Sequence, residues 1–255
     1  MKLASDSIAA VVDLYKTTPE FLTKIKSDKT RTQYSYQLSR LCALEGVSEI
    51  SLDELNTAKC QEIYWQLLNS VKGDGIRFTN YTLQIVTRAW NVLMRYDLLT
   101  RNPWQFVERS KVEPRNTVWN AEDFRLFLET SFAEPKWRNI GLLVRINVEL
   151  GQRIEDIRLA KWENFDLEDK LYRREVIQKT KERIPGIPLS NNVVKMLEQQ
   201  KEVYDFQEWV VPHPFTLAPY SEGQISKCFR SIMSCADLPS RLQLRDIRRT
   251  VLTDL

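Results

Sequence analysis

Three basic side chains that are far apart in the sequence each lie in a setting suited to binding an anion. Arg153 follows Gly151 at the predicted start of a helix, Lys179 lies in a predicted hairpin turn, and Arg248 belongs to a final basic segment. The first N–H groups of a helix point outward, and a guanidinium group can hold two phosphate oxygens at once. Each residue alone could be a surface charge. Their combination suggests a polyanion as a partner.

Other kinds of chemistry have little support in this sequence. It contains no P-loop, no G-x-G-x-x-G fingerprint and no nucleophile elbow. The single histidine, His213, lies between prolines in "VVPHPF" and is interpreted as structural or exposed. Cys42, Cys60, Cys228 and Cys235 lack the paired spacing of metal ligands. We therefore expect no metal and no cofactor, and we interpret the cysteines as small buried hydrophobes in a reducing compartment.

Composition indicates a globular protein that has no membrane segment. Hydrophobic residues make up 43% of the 255, and the formal net charge is only +3. No apolar run approaches the ~18 residues that a membrane helix needs, and the first apolar segment contains acidic residues that a secretory signal would lack. We expect a cytoplasmic protein with no membrane contact.

The periodicity of apolar residues predicts a mainly α-helical chain with a small antiparallel β-sheet, divided into two domains. A bundle of about four helices is predicted over residues 1–105, including one helix over Ser7 to Ile25. A proline-containing connection follows at 106–117, and a second domain covers 118–255. In that domain Asn120 is predicted to cap a helix, Gly151 to end one, and another helix is predicted over Arg153 to Lys161. The β-branched runs around Lys179 predict the hairpin.

Three ordered motifs resemble those of the tyrosine recombinase family, in particular the lambda-type phage integrases. The stretch "LGQRIEDIRLAKWENFD" is similar to that family's first box, "QKTKERIPGIPLS" to its hairpin segment, and "RDIRRT" to its second arginine box. In the first domain, "DKTRTQYSYQLSRL" and "FTNYTLQIVTRAWNVLMRYDLLTRNPW" look like helices of the family's core-binding domain. The positions that carry the resemblance are Gly151, Arg153, Asp156, Trp162, Asn164, Phe165, Lys179, Thr180, Arg183, Pro188, Leu189, Arg245, Asp246, Ile247, Arg248, Arg249 and Thr250.

The resemblance implies a SAM-like helical core-binding domain followed by an α+β catalytic domain. Members of the family cut and rejoin DNA through a 3′-phosphotyrosyl intermediate without cofactor or metal. By the same resemblance Arg153 and Arg248 would grip the phosphate, Lys179 would protonate the leaving oxygen and Asp156 would orient the arginines. Arg245 stands where the family usually has histidine. Side chains expected to contact DNA in the first domain are Lys29, Thr30, Arg31, Arg77 and Asn80.

The resemblance also implies a nucleophilic tyrosine after the second arginine box, and this sequence has none there. All nine tyrosines precede Arg245. We therefore expect a phage-type integrase that is truncated before its nucleophile, with this chain inactive for cleavage. The alternative is a non-catalytic DNA-binding protein with a degenerate recombinase fold.

The partners that the resemblance implies are double-stranded DNA attachment sites. The full-length family works as a homotetramer on DNA, whereas this chain could be monomeric, and DNA-bending accessory proteins could assist. The expected location is the cytoplasm of a bacterial host cell, on DNA.

Overall fold

The chain divides into two compact units, Met1–Pro114 and Arg115–Leu255. The computed structural model describes residues 5–73, 75–173 and 186–253. The division between the units falls inside the segment 106–117, which the sequence predicts to be a connection. Each unit has its own cluster of buried apolar side chains.

Helices make up the first unit, and polar side chains start several of them. Ser7, Ser27 and Asn56 each accept a hydrogen bond from a backbone N–H in the first turn that follows. The elements are α1 (Ile8–Lys16), a π-helical turn (Glu20–Lys24), α2 (Asp28–Cys42), α3 (Thr57–Ser70), α4 (Gly75–Met94) and a 3-10 turn (Pro103–Phe106).

The predicted helix from Ser7 to Ile25 is wrong in its extent, because the chain interrupts it. α1 ends at Lys16, and the separate π-helical turn begins at Glu20. Pro19 lies between them and has no N–H to donate to a preceding turn. The hydroxyl of Thr18 donates to the carbonyl of Tyr15 at 2.7 Å, which satisfies one of the carbonyl groups at the end of α1.

The core of the first unit is built around α4. Leu83, Val86, Trp90 and Leu93 recur at helical spacing and are buried, so they form the apolar stripe of this helix. The Trp90 ring packs edge to face against Trp104, with ring centroids 5.7 Å apart. Helices α1, α2 and α3 all contact α4.

The second unit combines helices with a small sheet. The hydrophobic helix α6 contacts α5, α7, α8, α9 and α10, and Ile140, Leu143, Val144 and Ile146 on it have no exposed surface. The elements are α5 (Ala121–Ala133), α6 (Arg138–Leu150), α7 (Ile154–Arg158), a 3-10 turn (Trp162–Asn164), β1 (Phe165–Asp166), β2 (Leu171–Tyr172), β3 (Ile187–Pro188), α8 (Asn191–Tyr204), α9 (Glu222–Cys235) and α10 (Asp246–Thr253).

The three strands pair antiparallel in the order β1, β2, β3. Tyr172 lies opposite Phe165 on one side and opposite Ile187 on the other. These observations confirm the predicted fold class, mainly α-helical with a small antiparallel sheet. The predicted turn with Lys179 lies outside the described residues. Within the described ranges no helix is both long enough and apolar enough to cross a bilayer.

Candidate functional site

The chain turns sharply at the end of α6, immediately before Arg153. Gly151 adopts a left-handed conformation with φ +56°, and its N–H donates to the carbonyl of Asn147 at 2.9 Å. The side-chain amide of Asn147, only 1% exposed, donates to the carbonyl of Gln152 at 2.7 Å. These two contacts fix the backbone path into Arg153, whose side chain is exposed.

Arg153 is the cap residue of α7, and Asp156 lies half-buried within this helix. The predicted end of the helix at Lys161 is wrong, because α7 ends at Arg158. The next residues pair with a distant segment instead of continuing the helix. The N–H of Val210 donates to the carbonyl of Ala160 at 3.1 Å, and the N–H of Trp162 donates to that of Glu208 at 3.1 Å.

Arg158 fixes the far end of α7. Its guanidinium pairs with Glu155 on the same helix, donating from Nε at 3.0 Å, and its Nη1 donates to the carbonyl of Tyr220 at 2.6 Å. The hydrogen bonds to Glu155 raise the pKa of Arg158 above its ordinary value. This arginine therefore has an intramolecular role, and the exposed Arg153 is the one that can reach an external anion.

Helix α10 carries the second arginine motif and lies beside the turn at Gly151. A Cβ atom built on Gly151 would be 3.3 Å from Cγ1 of Val251. Arg248 is half-buried on α10, and Arg245, just before the helix, is exposed. The turn that leads to Arg153 and the helix that carries Arg248 are thus in contact, although about a hundred residues of sequence separate them.

A cleft of about 740 Å³ joins α7 to the residues before α10. Arg245 lines it together with Ile154, the neighbour of Arg153, and helix α9 forms another part of its wall. The lining is mixed, with apolar side chains and residues of both charges. Its residues are Ile154, Glu155, Glu222, Ile225, Ser226, Phe229, Arg230, Ser240, Leu242, Gln243, Leu244 and Arg245.

The hairpin predicted to present Lys179 is described only at its base. There the N–H of Leu189 donates to the carbonyl of Lys170 at 2.8 Å, and the N–H of Arg173 donates to that of Asn164 at 2.7 Å. Beyond β3, the hydroxyl of Ser190 donates to the carboxylate of Glu149 on α6 at 2.8 Å. The base of the hairpin is therefore attached to the helix that ends at Gly151.

In the first unit, Lys29, Thr30 and Arg31 lie in the first turn of α2. Lys29 is exposed and Thr30 is half-buried. Arg31 has intramolecular partners: its guanidinium pairs with Asp28 and donates to the carbonyl of Leu22 at 3.1 Å. Its head group is thereby held against the π-helical turn that precedes α2.

Arg77 and Asn80 lie on α4 and contact the segment that leaves the first unit. Asn80 accepts a hydrogen bond from the Tyr64 hydroxyl at 2.7 Å and donates to the carbonyl of Ser110 at 2.8 Å. Arg77 donates to the carbonyl of Glu113 at 3.2 Å. Tyr64 also accepts the N–H of Ser110 at 2.8 Å. Both backbone polar groups of Ser110 are therefore hydrogen-bonded to side chains, its carbonyl to Asn80 and its N–H to Tyr64.

Two carboxylates with positioning contacts were not singled out from the sequence. Asp246 is 2% exposed and is held by Arg115, and Glu149 is held by Ser190. Asp246 did leave a signal, because it is the single acid among the four arginines from Arg241 to Arg249. A buried acid in such a cluster requires a specific partner. No pattern in the sequence around Glu149 or Arg115 indicates their contacts.

Tyr220 is the last tyrosine in the sequence and is almost completely buried, with 1% exposure. Its hydroxyl has no hydrogen-bond partner among the described residues. Burial raises the pKa of this tyrosine well above its ordinary value. A hydroxyl in this setting is poorly suited to attack a phosphate.

The fold is similar to that of several integrases whose structures have been solved in complex with DNA. A lambda integrase tetramer bound to a Holliday junction matches with a TM-score of 0.78 and 17% identity over 98% of this chain and 73% of that chain. A lambda integrase dimer bound to a COC′ core site gives 0.77 and 16%, over 96% of this chain and 88% of that chain. The Tn1549 transposon integrase with a circular intermediate DNA gives 0.77 and 13%, over 98% and 87%.

The sequence itself identifies the family. A family model described as the phage integrase family matches residues 120–255, more than half of the chain. The protein therefore belongs to the phage integrase family, which confirms the resemblance seen in its motifs. A search of curated proteins found no match.

Proposed function

We propose that this protein acts in site-specific DNA recombination, with the second unit binding the phosphate at which strands are exchanged. The contact between Gly151 and Val251 carries this proposal, because it brings the turn before Arg153 against the helix of Arg248. Family membership and fold support the same reaction class. The solved relatives are described as bound to DNA, and we extend double-stranded DNA to this chain as its partner.

Arg153 and Arg248 would each donate to non-bridging phosphate oxygens and so offset the charge that grows in the transition state. Arg245 adds a further donor from the cleft, but it cannot accept a proton as a histidine could. Lys179 would protonate the leaving 5′-oxygen, and Asp156 would orient the arginines. Each of these roles is carried over from the family's motifs to the matching residue.

The attacking group in this reaction class is a tyrosine, which forms a 3′-phosphotyrosyl link. Tyr220 is buried, and no tyrosine follows Arg248 in the sequence. We therefore expect the 255-residue chain to bind DNA without becoming covalently attached to it.

In the first unit the side chains that would contact DNA are Lys29, Thr30 and Arg31 in the first turn of α2 and Arg77 and Asn80 on α4. The full-length family would work on its attachment site as a homotetramer, which DNA-bending accessory proteins could assist, in the cytoplasm of a bacterial host, whereas this chain could be a monomer. A tetramer is the form described for one lambda integrase complex.

DNA binding is tested first with duplexes of about 30 base pairs selected from a randomised library, and affinity is measured by fluorescence anisotropy over a salt series. Affinity should fall steeply with salt. Removing Arg153 or Arg248 should weaken binding and reduce the slope of log affinity against log salt concentration by about one, because one fewer counterion is released. Arg125→Ala is the matched control, because Arg125 is an exposed arginine paired with Glu122 and Glu129 on α5. A flat salt dependence, or no preferred sequence, would contradict the proposal.

Cleavage chemistry is tested separately by supplying an external nucleophile. Hydrogen peroxide provides a hydroperoxide anion that can attack the phosphorus, while the 5′-oxygen leaves and takes a proton from Lys179. We expect peroxide-dependent nicking of the selected duplex, and its loss in Lys179→Ala and in Arg248→Ala. If DNA binds tightly but is never nicked, the chain is a non-catalytic DNA-binding protein. A covalent adduct without peroxide would place the nucleophile among the tyrosines present and would overturn the assigned roles.

A further inference from the structure

Residues 115–119, which we call the strap, run along the start of α10. Arg115 donates from Nε to Asp246 Oδ1 at 3.1 Å and from Nη2 to Oδ2 at 2.7 Å. The guanidinium also donates to the carbonyl of Arg241. At the other end of the strap, the backbone N–H of Trp119 donates to the Thr250 hydroxyl at 2.9 Å.

The carboxylate that Arg115 holds is almost completely buried. Asp246 is the first residue of α10, is 2% exposed, and also accepts the N–H of Gln243 at 3.0 Å. Trp119 donates its indole N–H to the carbonyl of Gln243 at 3.2 Å, so the strap also fixes the turn before the helix. Burying a carboxylate requires a charged or hydrogen-bonding partner, and Arg115 supplies two of the bonds.

The position of Asp246 makes this pairing important for phosphate binding. It follows Arg245 directly and lies two residues before Arg248. A carboxylate without its own partner would attract these guanidinium groups and compete with phosphate for them. The bidentate bond from Arg115 instead occupies the carboxylate, and it raises the pKa of Arg115.

We propose that Arg115 is a positioning residue, which fixes the start of α10 and keeps Asp246 from pairing with Arg245 and Arg248. It acts through Asp246 and does not itself touch the DNA phosphate. This inference rests on the proposed function for its effect on DNA, but its structural part can be measured without DNA.

The structural part is tested by amide hydrogen exchange of residues 246–250 in the free protein. Arg115→Ala should speed exchange there by about tenfold, whereas Arg125→Ala should leave it unchanged. Unchanged exchange in Arg115→Ala would overturn the inference, whether or not the protein binds DNA. If Arg115→Ala does not fold, Arg115→Lys replaces it, because a lysine keeps the charge but loses the bidentate geometry.

The electrostatic part is tested with the selected duplex. Arg115→Ala should lower affinity about tenfold, and the double variant Arg115→Ala with Asp246→Asn should recover much of it, because the competing carboxylate is gone. A purely structural role predicts that the double variant binds no better than the single one, and that result would overturn the inference. If the unaltered protein fails to bind DNA, the proposed function fails separately, and the exchange measurement still decides whether Arg115 fixes α10.

Discussion

Glu149, the second-last residue of α6, accepts hydrogen bonds from both the backbone N–H and the hydroxyl of Ser190, the residue that caps α8. The Glu149 side chain is only 14% exposed. A negative charge near the N-terminus of a helix is favourable, and the Glu149 carboxylate lies at the N-terminus of α8. The same hydrogen bonds connect the segment that follows β3 to α6.

Glu149→Ala should lower the free energy of unfolding of the second unit by about 1–3 kcal/mol, because it leaves two donors of Ser190 without their acceptor. Urea unfolding followed by circular dichroism measures the change. Glu129→Ala is the control, since Glu129 is exposed and its pair with Arg125 contributes about 0.5 kcal/mol or less. Equal effects of the two substitutions would show that the contact with Ser190 does not stabilise the fold.

Gly151→Ala should destabilise the second unit by about 1–2 kcal/mol, because an alanine is strained at positive φ. Its new Cβ would also lie 3.3 Å from Val251. Gly223→Ala on α9 is the matched control, since a Cβ there reaches only the Ser221 hydroxyl at 4.0 Å. In a helix alanine is favoured over glycine, so the control should be neutral or stabilising by up to about 1 kcal/mol. Thermal unfolding gives both values, and shifts of the same sign would refute the strain at Gly151.

Asn80→Ala should release the backbone near Ser110 from the first unit, because the side chain can no longer donate to the Ser110 carbonyl or accept from the Tyr64 hydroxyl. Arg109 and Lys111 are exposed trypsin sites in this segment, and cleavage there should become several-fold faster. Mass spectrometry of limited digests identifies the products. Gln84→Ala, at an exposed position one turn further along α4, should digest like the unaltered protein. An unchanged rate in Asn80→Ala would mean that the other contacts hold the segment without it.

The cysteines should differ strongly in reactivity. Burial raises the pKa of the Cys60 thiol to about 12, whereas Cys235 is exposed. With a disulfide reagent near pH 8, Cys235 should react at once and Cys60 only on unfolding, and Cys235→Ser should remove the fast phase.

The raised pKa of Cys60 also has a consequence for stability. Its contribution is fully present below the ordinary pKa of 9.0 and is lost as the pH rises towards 12, because only the unfolded thiol ionises in that window. Rapid labelling of Cys60 in the folded protein would contradict its burial.

Features set by neighbouring residues could be predicted from the sequence. Asn120 does cap α5, accepting the N–H of Asp123 at 2.7 Å, and Gly151 does end α6. The strands on either side of Lys179 do pair antiparallel. The two caps depend on side chains within a few positions of one another, and the hairpin pairs two strands that follow one another in the sequence, so local chemistry decides all three features.

Contacts between distant parts of the chain could not be predicted in this way. Arg115 and Asp246 are 131 positions apart, and Glu149 and Ser190 are 41 apart. Nothing in the residues around Arg115 indicates a buried partner, since its neighbours resemble an ordinary polar connection. The early end of α7 has the same origin, because the segment that pairs with Ala160 lies about fifty residues further on.

Helix α6 is attached to all three elements that are predicted to meet the phosphate. Its end at Gly151 leads to Arg153 and touches Val251 on α10, and Glu149 holds the base of the hairpin. Because all three contacts are made at the end of one helix, we expect a displacement of α6 to move the three elements together and to change the spacing between them less than their individual positions.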